Sequence, residues 1–145
     1  MILFSSALEL KANKVIIMNN LIVDAARDKI CLTLIVDKNT YTCSHENSKI
    51  NFEKLMILIN EFLSTIKCSL NDISSIYVNR GPGSFAGIRN SLATIKALFL
   101  TKKINYYCFS FNDFVGIEDI KYEDVPSLCD KFKIKKNLIN PIYLS

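Results

Sequence analysis

The chain has 145 residues, half of them hydrophobic and 22% charged, with a net charge of +4. That length and apolar content suit one folded domain with its own core and exclude a disordered chain. The mild charge permits contact with RNA without demanding it, and no apolar run approaches the roughly 18–20 residues that a membrane span needs.

The opening, MILFSSALELKANKVII, lacks a basic front end and a cleavage motif, and Glu9, Lys11 and Lys14 interrupt its apolar start. It does not read as a signal peptide, so a cytoplasmic protein is expected. NLIVDAA (20–26) is a short apolar run closed by Asp24. KICLTLIV (29–36) and the alternating TYTCSH (40–45) follow across polar turns, and the three predict an antiparallel meander. The period then changes. Phe52, Leu55, Met56, Ile59, Phe62, Leu63 and Ile66 mark one face of a helix over 50–67, with Ile50 and Ile57 on the opposite side.

ISSIYVN (73–79) reads as a buried strand running into a glycine-rich loop, and a second helix is expected over 87–102. This helix carries two apolar stripes. Ile88, Leu92, Ile95 and Phe99 form one; Ala93, Ala97 and Leu100 form the other. A helix lying on a sheet needs one such stripe. The second is therefore either covered within the same domain or meets another subunit. NYYCFS (105–110) is a further strand, and FNDFVG (111–116) opens a short helix. Pro126 is expected to break any long element, KFKIKK (131–136) is a basic run, and NPIYLS ends the chain as an edge strand. Strands joined by helices return to the same end of a sheet and so run parallel. The expected fold class is α/β: a ribonuclease-H-like or actin-like lobe with a mixed sheet, its first three strands antiparallel and helices packed on it.

The five cysteines are dispersed without a C-x-x-C pair, and His45 is the single histidine. Reduced thiols fit this better than a disulfide framework, and no metal site is expected. The loop VNRGPGSFAGIRNSL (78–92) concentrates three of the four glycines. Gly81 and Gly83 allow a tight bend, Ser84 can cap the next helix, and Gly87 lets that helix start close to the sheet. Free amides there, with Arg89 nearby, could also hold an anion. The phosphate-loop pattern fails at Ala86, and the dinucleotide pattern lacks its acidic partner. Asp24, Gly81, Gly83, Ser84, Gly87 and Arg89 are thus candidates for an anion site, beside the simpler reading of a structural turn. No catalytic residue is assigned.

Gly81, Pro82, Gly83, Ser84, Phe85, Gly87, Ile88, Arg89, Leu92, Ala93, Lys96 and Leu98 match the strand-loop-helix signature of the bacterial TsaB (YeaZ) family. LIVDAARDKICLTLIV also resembles that family's first hairpin, and PIYLS its terminal P-x-Y-L-R. The resemblance implies a non-catalytic member of the actin-like ATPase superfamily that pairs with a homologous, metal-dependent catalytic subunit, TsaD. Together with the small ATPase TsaE, these form threonylcarbamoyl-adenosine beside the anticodon of tRNA. ATP and metal are then expected in the catalytic partner, with no cofactor held by this chain alone. The family's heterodimer uses the two helices flanking the loop strand, which directs attention to Leu55, Ile57, Leu58, Ala93, Ala97 and Leu100 as partner contacts. Ala86 stands where threonine is usual, and Ala25-Ala26 stand where Thr-Ser is common.

By this resemblance residues 18–116 are the N-terminal lobe and 117–145 the remnant of a second lobe, a truncated form. Residues 1–17 are read as an extension, disordered or a misassigned start, ahead of MNNLIVDAA. Two other readings stay open. One is a small nucleotide- or phosphate-binding enzyme built on Asp24 and the glycine loop; the other is a homodimeric remnant that self-associates through the same helices.

Overall fold

The computed structural model describes residues 18–143. The extension expected over 1–17 and the two final residues lie outside that range. Strands β1 (Asn19–Asp24), β2 (Lys29–Val36) and β3 (Asn39–Glu46) form the antiparallel meander, and β4 (Ser75–Asn79) and β5 (Asn105–Phe109) complete a five-stranded sheet of order β3-β2-β1-β4-β5. β4 runs parallel to both β1 and β5. The period-two pattern of β2 has a direct consequence: Ile30, Leu32 and Leu34 are fully buried on one face. β3, polar along most of its length, takes the edge, where unpaired backbone can meet water. Its Thr42 hydroxyl lies 2.8 Å from that of Thr33 across the strands.

The helix expected over 50–67 is divided. Helix α1 (Lys49–Glu53) ends at Lys54, whose ψ of 25° leaves the helical range, and α2 (Leu55–Thr65) begins directly after it. Spacing alone suits a single rod. The break gives α1 its own direction against the long helix α3 (Phe85–Lys102), where the Phe52 ring lies over Gly87. Within α2 the buried positions are Leu55, Leu58, Ile59, Phe62 and Leu63, so Leu58 takes the core place expected of Met56. Ser48 caps α1 by accepting from the Asn51 amide at 3.2 Å.

Helices α1, α2 and α3 share one face of the sheet, closing a core with Leu21, Val23, Ile76 and Val78. The opposite face carries Ile22, Tyr77 and Phe109, and the chain after β5 returns across it. Phe114, Val125 and Leu128 pack there, the last two from helix α4 (Val125–Lys131). The stretch 117–134, within the segment expected as the remnant of a second lobe, therefore lies on this sheet. Pro126, expected as a breaker, instead opens α4, because the first turn of a helix needs no amide at that position. The C-terminal edge strand is reduced to a single bridge between Tyr143 and Gly83.

Candidate functional site: the glycine loop and the outer helix face

The glycine loop leaves the end of β4 and is held by its own side chains. Asn79 Oδ1 accepts from the Gly81 amide at 2.9 Å, while the Arg80 guanidinium donates to Asp113 at 2.6 Å and to the Asn140 carbonyl at 3.0 Å. Gly81 has φ +107°, a conformation that favours glycine, and a Cβ there would stand 2.2 Å from the Ile142 carbonyl oxygen. At Gly83 and Gly87 the reason is proximity. A Cβ would stand 2.0 Å from the Ala26 carbonyl oxygen in the first case and 1.8 Å from that of Ala25 in the second. The glycines thus let the loop and the start of α3 lie directly on the Ala25-Ala26 backbone.

The loop's polar groups are directed inward as well. The Ser84 amide donates to the Ala26 carbonyl at 2.9 Å, and its hydroxyl accepts from Gly87 at 3.1 Å to cap α3. Arg89 stays on the surface, 5.7 Å above the Phe85 ring. So Gly81, Gly83, Ser84 and Gly87 are brought together as a packed turn, with Arg89 outside it.

Asp24 corrects the sequence expectation of an acid open to an anion or phosphate. It is fully buried. One carboxylate oxygen accepts from the Ala26 amide at 3.0 Å; the other accepts from Arg27 Nε at 3.0 Å and from the Tyr122 hydroxyl at 2.6 Å. Arg27 also donates to the Tyr122 oxygen at 2.6 Å and lies 4.6 Å over the Phe111 ring. Burial, followed by the negative Asp24, raises the Tyr122 hydroxyl's pKa and keeps it protonated. Both carboxylate oxygens are therefore engaged internally, one of them partly by a residue 98 positions away that no local pattern points to.

The outer helix face divides the expected partner contacts. Leu55 and Leu58 are 1% and 4% exposed, so both belong to the core and offer no surface; this corrects their expected role. Their i, i+3 spacing is the reason, since it places them on the same inward side of α2. Ile57 is 54% and Leu100 59% exposed, and Ala93 and Ala97 are exposed beside Leu100 on α3. Ile50 on α1 is exposed as well. Because α1 and α2 both pack against α3, these residues belong to one helical layer. Among the described residues, no cluster of three or more His, Cys, Asp or Glu side chains could hold a metal ion. No helix among them is long and apolar enough to cross a membrane.

The fold defines the class as an α/β lobe of the actin-like type, and it matches the structure of YeaZ from Pseudomonas aeruginosa with a TM-score of 0.59. That match has 17% identity and covers 64% of this chain and 44% of the other. The family model for TsaD, the tRNA N6-adenosine threonylcarbamoyltransferase, matches residues 45–110. Two curated relatives are each named tRNA threonylcarbamoyladenosine biosynthesis protein TsaB. The protein from Buchnera aphidicola of Schizaphis graminum is 29% identical over 90 residues, covering 62% of this chain and 43% of the relative. That from Buchnera aphidicola of Baizongia pistaciae is 35% identical over 80 residues, covering 46% and 36%. Over these stretches the chain is similar to TsaB (YeaZ) proteins. It spans less than half the length of the curated relatives it matches.

Proposed function

We propose that the chain acts in tRNA threonylcarbamoyladenosine biosynthesis as a non-catalytic scaffold for a TsaD-like subunit. In this reading it docks through the outer surface of α2 and α3, and its contribution is positional. ATP, metal and the transfer chemistry belong to the catalytic partner, a TsaE-like ATPase acts through the complex, and tRNA is the substrate of the assembly. The observation that carries the reading is the second stripe of α3: Ala93, Ala97 and Leu100 stay exposed although the inner stripe already fills the core. Small side chains at i and i+4 let a facing helix approach to about 8–10 Å, and Leu100 and Ile57 supply apolar area to bury. About 800 Å² per partner suffices for a specific complex.

The family name of the relatives supports the pathway, and the internally satisfied Asp24 supports a subunit without chemistry of its own. A strain depending on this chain tests the reading through Ala97→Glu. The position is exposed, so the variant folds with an unchanged denaturation midpoint, while threonylcarbamoyl-adenosine in tRNA falls at least tenfold. A buried, unpaired carboxylate at a helix contact accounts for a loss of that size. Full modification by the folded variant would contradict the proposed contact.

A further inference from the structure

On the sheet face opposite the docking helices, a pocket of about 450 Å³ opens between α4 and the end of the sheet, lined by Tyr77, Tyr107, Cys129, Asp130, Lys133 and Lys136. Tyr77 and Tyr107 are register partners on β4 and β5, and their rings stack at 4.9 Å with 11° between planes. β5 is the last strand of the sheet, and Tyr107 remains part-exposed at this margin.

The lysines are placed by backbone that is itself tied down. Helix α4 ends in a Schellman motif: Ile134 donates to the Cys129 carbonyl at 2.9 Å and Lys133 to that of Asp130 at 3.2 Å, with Lys133 at φ +55°. Asn137 then pins the following turn to β5. Its amide donates to the Tyr106 carbonyl at 2.8 Å, and its side-chain oxygen accepts from the Tyr106 amide at 2.9 Å. Lys136 consequently bridges to Tyr107. A smaller pocket of about 160 Å³ adjoins through Lys133 and adds Lys135, which extends the cationic track.

We infer that this pocket binds a nucleoside phosphate unit, with the base stacked on the tyrosine pair and the phosphate held by Lys133 and Lys136. Aromatic faces accept any base, lysines take phosphate as point charges, and a carboxylate such as Asp130 can accept from ribose hydroxyls. The pocket's volume suits a ligand of this size. Burial pushes the Cys129 thiol up to about 12, so it stays protonated near neutral pH. The inference stands apart from the docking reading, because it needs only the isolated chain.

The same ligand chemistry could come from a free nucleotide or from single-stranded RNA, and two probes separate these sources. The full chain is titrated with a fluorescent unstructured ten-residue oligoribonucleotide, followed by anisotropy, and with adenosine monophosphate, followed by calorimetry. Saturable RNA binding identifies a nucleic-acid site; binding of the mononucleotide alone identifies a free-nucleotide site. With either ligand, Tyr107→Ala weakens binding about tenfold while Tyr107→Phe retains it. Lys133→Ala combined with Lys136→Ala weakens it further, and for RNA lowers the slope of log affinity against log salt by about 1.4. Circular dichroism confirms that each variant is folded. Absence of binding to both probes, or affinity unchanged in the folded lysine variant, overturns the inference.

Discussion

At the scale of single residues, the most informative group is Asp24. A carboxylate at the carboxyl end of a strand is a common place for chemistry, yet this one is closed by Ala26, Arg27 and Tyr122. Removing the phenol leaves one buried oxygen a partner short, which costs about 1–2 kcal/mol. Tyr122→Phe should therefore lower the urea midpoint without changing the slope of the transition; an unchanged midpoint would show that the hydroxyl contributes nothing. Arg27 lies three residues from Asp24, so that pairing is legible in sequence. Tyr122 is not, because the partnership depends on how the chain returns across the sheet. The glycines divide the same way: clustering points to a tight strand-to-helix turn, but only the tertiary fold shows that Gly83 and Gly87 make room for the carbonyls of Ala26 and Ala25.

At the scale of elements, apolar period locates every strand and the long helix α3 to within a few residues. It fails at Lys54. Heptad-like spacing continues smoothly through that position, and the interruption comes from the need of α1 to meet α3. It also fails at Pro126, where the breaker is an initiator. Helix ends show a further habit of this glycine-poor chain, which places lysine where glycine is usual. After α2, Cys68 donates to Leu63 at 2.9 Å and Lys67 to Ser64 at 3.0 Å, leaving Lys67 left-handed at φ +61°. Lys67→Gly relieves that conformation and should stabilise the protein by roughly 0.5–1 kcal/mol, seen as a higher melting temperature. A lower melting temperature would mean that the lysine side chain contributes more than its backbone conformation costs.

At the scale of the whole molecule, the sheet has two different coverings. One face carries α1, α2 and α3; the other is closed by the returning chain and α4, bringing Phe114, Val125 and Leu128 onto Ile22, Tyr77 and Phe109. This second covering is poorly legible in sequence, since the relevant apolar residues are short, irregularly spaced and separated by charged ones. The surplus stripe on α3 is legible, because a period of 3.6 assigns Ala93, Ala97 and Leu100 to one side whatever the tertiary structure. What periodicity leaves open is whether that side is covered, and the exposure of Leu100 answers it for the described residues. Leu55 and Leu58 show the converse: being apolar on the right helix is insufficient when the side chain is already spent on the core.

The docking account rests on that uncovered stripe finding a second, different protein. Light scattering of the full chain mixed with the TsaD-like subunit of the same organism measures this directly. The account predicts a complex with the summed mass of one copy of each, lost when Ala97→Glu replaces the wild-type chain. Unchanged separate masses on mixing, or a complex that forms equally well with the variant, would contradict it.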